Sequence, residues 1–141
     1  MLPLEKSKFI KIIAPLVLLP IGLIISIVIH LYIAQHMDLS YINPRAFVVA
    51  LRNSSIVLVI SSFVTLLTIK FIRNFPKSYL LSFSFSILAF LIFHIFQYVS
   101  FYRVVRDFLP VIISIALALF PAFPIIILTS LGITLIVRQI K

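Results

Sequence analysis

Two histidines raise the first chemical question. His30 lies near the end of one apolar run and His94 near the end of another. If consecutive runs are antiparallel helices, both imidazoles sit at similar depth. Two histidines on different helices meet a necessary condition for a haem iron or a quinone site, though not a sufficient one. Gln97 lies one turn beyond His94 on the same helical face. Arg52 and Asn53 open the second run, and His36, Asp38, Arg103, Arg106 and Asp107 fall in or beside loops on the same side. These residues would form one polar layer near the head groups. A plainer reading is interfacial, with long cationic side chains reaching back to water. A third is an ion pair of Asp107 with Arg103, or with Arg52 across helices, which would fix packing rather than catalyse. No cofactor is assigned.

Fuller catalytic sets are missing. No P-loop, dinucleotide fingerprint, zinc-protease helix or serine elbow occurs. The three acids, Glu5, Asp38 and Asp107, are too far apart for a carboxylate dyad, and none lies within an apolar run. Ion-coupled transport usually places a carboxylate there. With no cysteine, thiol chemistry and disulfides are excluded. The expectation is a protein that is not an enzyme.

The elements that carry these residues follow from composition. Hydrophobic residues make up 63% and charged residues 11% of 141, against roughly 45–50% and 25% in soluble domains. So small a chain cannot hide that much apolar surface from water. The expected fold is an all-α membrane protein, a polytopic bundle of four transmembrane helices in a single domain. The spans are placed at about 12–34, 46–72, 78–101 and 108–137, each reaching the ~20 residues a bilayer requires, with the fourth, at about 45 Å, longer than a ~30 Å hydrocarbon core. Ten-residue alternation of the β-barrel kind is absent. Lys6, Lys8 and Lys11 precede the first run as in a signal peptide. That run is too long for one and ends in no small-residue cleavage site, so it is read as an uncleaved helix.

Twelve Lys and Arg give a formal charge of +9. They cluster between the apolar runs, a distribution that favours membrane orientation over nucleic acid. With the N-terminus cytoplasmic, the inner side holds Lys6, Lys8, Lys11, Lys70, Arg73, Lys77, Arg138 and Lys141, and the outer side Arg45, Arg52, Arg103 and Arg106. Both termini are therefore expected in the cytoplasm of a cell with the protein in its cell membrane. Lys6, Lys8, Lys11, Lys70, Arg73 and Lys77 are expected to touch anionic lipid.

Proline shapes two spans. Pro15 and Pro20 should bend the first, and Pro121 and Pro124 should kink or break the fourth. Halves of the fourth run are too short to span separately, so one kinked helix is preferred to a hairpin. With only Gly22 and Gly132 available, close packing is expected to rest on Ser, Ala and Thr. Ser78, Ser82, Ser86 and Ala89 form one such face, and Ser114, Ala118 and Ala122 another. Ser54, Ser61, Thr65 and Thr68 form a third. The first helix has little beyond Gly22 and Ser26, and is expected to face lipid or a partner subunit.

Leu51-Arg52-Asn53-Ser54-Ser55, the apolar helix after it, and Arg73-Asn74-Phe75-Pro76 resemble part of an ABC importer permease. The acidic, glycine-bearing loop that couples such permeases to their ATPase has no counterpart at 70–77, and no permease function is carried over.

The leading expectation is a small accessory or scaffold subunit, held by the lipid bilayer and by other membrane subunits or copies of itself. The alternatives are an oligomeric pore, a holin-like permeabiliser or a transporter component, and then a haem- or quinone-binding subunit.

Overall fold

The computed structural model describes residues 3–36, 44–102 and 108–140, with side chains described except at 3–6, 8, 44–46, 98, 101–102 and 108–111. Five helices account for these segments: α1 (Pro3–Leu16), α2 (Leu18–His36), α3 (Pro44–Phe71), α4 (Lys77–Tyr102) and α5 (Phe108–Ile140). Four stretches are long and apolar enough to cross a membrane: Phe9–His36, Phe47–Phe71, Lys77–Gln97 and Ile112–Ile140. The fold is thus an all-helical bundle of four membrane-length spans, the first of them divided between α1 and α2.

The division falls at Val17, between Pro15 and Pro20. Neither proline has an N–H, so the carbonyls of Lys11 and Leu16 lose their helical donors. The Val17 N–H still reaches the Ile13 carbonyl at 3.2 Å, and the Ile21 N–H reaches the Val17 carbonyl at 3.3 Å. The fourth span behaves differently. α5 runs as one helix through Pro121 and Pro124, which excludes the hairpin alternative. Helices α3 and α4 are joined by a short turn in which the Phe75–Pro76 peptide bond is cis.

The bundle is assembled around α5, which touches every other helix and makes its widest contact with α2. The first span thus joins the bundle along one face. Gly22 and Ser26 of α2 are buried. A Cβ on Gly22 would meet the Ile125 Cα and the Pro124 carbonyl oxygen, each at 3.2 Å. Most of the first span's surface does remain outward, including Ile24, Val28 and Tyr32.

The interior is filled largely by hydroxyls. Ser54, Ser61 and Thr65 on α3, Ser78, Ser82 and Ser86 on α4, and Thr129, Ser130 and Thr134 on α5 are all buried. Large apolar side chains such as Val59, Phe63, Leu88, Ile92, Phe96 and Phe120 point outward. In lipid this arrangement is favourable. Tails solvate the outer side chains as well as other side chains would, so helices gain by close approach over small residues. An apolar cluster of Val57, Phe90, Ala122, Ile125 and Ile126 closes the middle of the bundle.

Candidate functional site

Ser26 and His30 lie one turn apart on α2, and so share a face. Arg52, Asn53 and Ser54 are consecutive on α3. Phe90, His94 and Gln97 follow the helical repeat of α4. The antiparallel order brings these three groups together, with Ala118 and Ala122 of α5, around a cavity of about 150 Å³ at the end of the bundle away from the termini. The small α5 residues leave the room that the polar side chains enter.

The cavity is polar at its rim and closed at depth. Ser26 and Ser54 join α2 to α3 through a hydroxyl–hydroxyl bond of 2.8 Å. Below them lies the apolar cluster of Val57, Phe90 and Ala122. His94 Nε2 bonds the Ser114 hydroxyl of α5 at 3.2 Å, and its ring stacks near Phe90. His30 Nδ1 approaches the Ser26 carbonyl without closing a hydrogen bond and has no other partner among the described residues. The two imidazoles therefore differ: one is fixed between helices, while the other keeps a free nitrogen. Arg52 is exposed at the mouth.

Chemically the described lining offers a guanidinium, two amides, two imidazoles and two hydroxyls, with no carboxylate among the described residues. It can receive an anion or a strong hydrogen-bond acceptor. Its volume is well below the ~300–1,000 Å³ typical of sites for drug-sized ligands, so it does not hold a haem between His30 and His94 as it stands. Among the described residues, no three metal-ligating side chains come together.

The remaining sequence candidates fall as follows. Ser78, Ser82, Ser86 and Ala122 are buried, while Ala89, Ser114 and Ala118 are half-buried. Ser82 and Ser86 have hydroxyls without a partner. Pro121 is buried in α5, Pro124 and Pro15 are half-buried, and Pro20 is exposed. Lys11, Lys70, Arg73 and Lys77 are exposed. Lys6 and Lys8 belong to α1, but their side chains lie outside those described, and the Asp107–Arg103 pair lies wholly outside the described residues. His36 does not join the cavity: its Nδ1–H donates to the Tyr32 carbonyl one turn back, at 3.0 Å.

Two features escaped the sequence reading. Thr129, Ser130 and Thr134 extend the hydroxyl interior along α5. The signal was present, since Ser130 and Thr134 continue the four-residue repeat of Ser114, Ala118 and Ala122, with Ile126 interrupting it. The other is a second cavity at the opposite end, lined by Arg73 and Arg138.

No protein-family model, no curated protein and no solved structure matches this chain.

Proposed function

We propose that this chain is a non-catalytic membrane subunit that works by association, as an accessory or scaffold component packed against other membrane subunits or further copies of itself. The closed middle of the bundle carries this reading. Ser61, Thr65, Ser82, Thr129 and Ser130 are fully buried against one another's helices, and the apolar cluster stops the polar cavity at depth. One copy therefore has no open path across its own span among the described residues, and the one hydroxyl–imidazole contact at the cavity, Ser114 with His94, has no described carboxylate beside it to orient the imidazole as a base. What it offers is a rigid bundle with an apolar outer wall.

The test is purification of the tagged full-length protein from its host in mild detergent, followed by mass spectrometry of what accompanies it. Other membrane proteins in fixed stoichiometry are expected. A lone monomer, both in detergent and after return to lipid, overturns the reading.

A second reading, a transporter or pore component, is favoured by the cavity with Arg52, His30 and His94. A discrete homo-oligomer that passes small anions in liposomes, with flux lowered by Arg52→Gln, would select it over the first.

A further inference from the structure

The end of the bundle that carries both termini holds a second cavity, of about 290 Å³, between the α3–α4 turn and the last turns of α5. Its described lining contains two guanidinium side chains, Arg73 and Arg138, together with Asn74, Phe75, Ser78 and Thr134. No carboxylate is among them. Arg138 lies 5.4 Å from the centroid of the Phe75 ring, a cation–π distance that fixes its head at the cavity. Both guanidinium side chains are exposed and line the same concave site, so one bound anion can meet both.

Two backbone donors at the start of α4 are already used. The Ser78 N–H bonds the Asn74 carbonyl at 2.8 Å, and the Leu80 N–H bonds the Pro76 carbonyl at 3.0 Å. Among the side chains, the guanidinium fork suits phosphate oxygens. The floor adds hydroxyl and amide groups, since Ser78 is 2% exposed and Asn74 belongs to the lining. The neighbouring cation Lys70 faces elsewhere, with its Nζ 6.0 Å from the Phe71 ring centroid.

We propose that Arg73 and Arg138 form a discrete site for a phosphate group, filled by the head group of an anionic phospholipid. This differs from diffuse attraction to a charged surface, which any cation at this end would share. The site stands whether the chain is a scaffold or a carrier. Its position at the ends of three spans, where head groups lie, favours lipid over soluble phosphate.

The full chain is placed in nanodiscs of phosphatidylcholine containing a graded fraction of phosphatidylglycerol, and retained lipid is read by native mass spectrometry. One phosphatidylglycerol per chain is expected. The double change R73Q/R138Q should lower retention on the order of tenfold, whereas K70Q/K77Q, which removes the same charge outside the lining, should lower it less than about threefold. Equal losses in the two doubles would overturn the site, leaving only surface electrostatics. R73K/R138K keeps the charge without the fork; it should also weaken retention, and it replaces the Gln double if that variant fails to run as a single folded species. A second arm titrates inorganic phosphate into chain held in pure phosphatidylcholine and follows thermal stabilisation. Arginine-dependent stabilisation without phosphatidylglycerol retention would assign the site to free phosphate and overturn the lipid assignment. Binding of neither overturns the proposal.

Discussion

Gly22 and Gly132 are the only glycines in the chain, and both lie where the first span meets α5. A Cβ on Gly132 would stand 2.8 Å from the Pro15 carbonyl oxygen and 3.0 Å from Leu19 Cδ1. The scarcity of glycine suggested that Ser, Ala and Thr alone would set the packing, and they do fill the interior of α3, α4 and α5. Composition shows how many glycines there are but not where they meet, so the α2–α5 seam was not legible. Gly132→Val should destabilise the protein. Overpacking costs about 1–3 kcal/mol, while leaving glycine in a helix returns less than ~1 kcal/mol. Thermal unfolding in detergent should show a lower midpoint. Adding Leu19→Ala should not rescue it, because the closer obstacle is backbone at Pro15. Full rescue would mean that Leu19 alone sets the contact.

At the scale of the element, two proline pairs have different outcomes, and their spacing accounts for it. Pro15 and Pro20 are five residues apart, about 140° around a helix. Their distortions point in different directions, and the helix divides between them at Val17. Pro121 and Pro124 are three apart and share a face, so the Leu117 and Phe120 carbonyls that lack their donors lie on one side of a helix that stays continuous, where they should bend it in one direction. Spans and short connections were legible because length and apolar content decide them in lipid. Distortion at Pro15 and Pro20 was legible from the prolines, but a full division at Val17 was not, because a count of apolar residues runs straight through it. The wrapping of α5 was only half legible. A strict four-residue repeat precesses about 40° per step, so the row from Ser114 to Thr134 turns from one neighbour toward the next, as a helix that touches all the others requires. A bend in α5 can be measured directly, since the chain has no native cysteine. Spin labels at exposed Ile113 and Ile140 would lie about 40 Å apart along a straight helix. The native chain should give a shorter distance, and P121A/P124A should lengthen it. No change would mean that α5 is straight despite both prolines.

For the whole molecule the decisive property is charge asymmetry. An even number of spans places both termini on one side, together with the α3–α4 turn. That side carries Lys70, Arg73, Lys77, Arg138 and Lys141 as well as the lysines of α1. Translocating a short basic segment is disfavoured, so the basic end should remain in the cytoplasm. In that orientation the two cavities are separated as well, and the arginine pair would lie inside and the histidine cavity outside. The second reading requires that order if its solute is taken from outside. Single cysteines test it without background. Asn74→Cys, in the exposed turn, should react with a membrane-impermeant maleimide only after the cells are opened. Gln35→Cys, exposed near the end of α2, should react in intact cells. The reverse pattern would put the arginine pair outside, remove the cytoplasmic leaflet as the source of its phospholipid, and turn the histidine cavity toward cytoplasmic ligands. Labelling of both in intact cells would contradict four complete spans, because the two residues stand at opposite ends of the bundle.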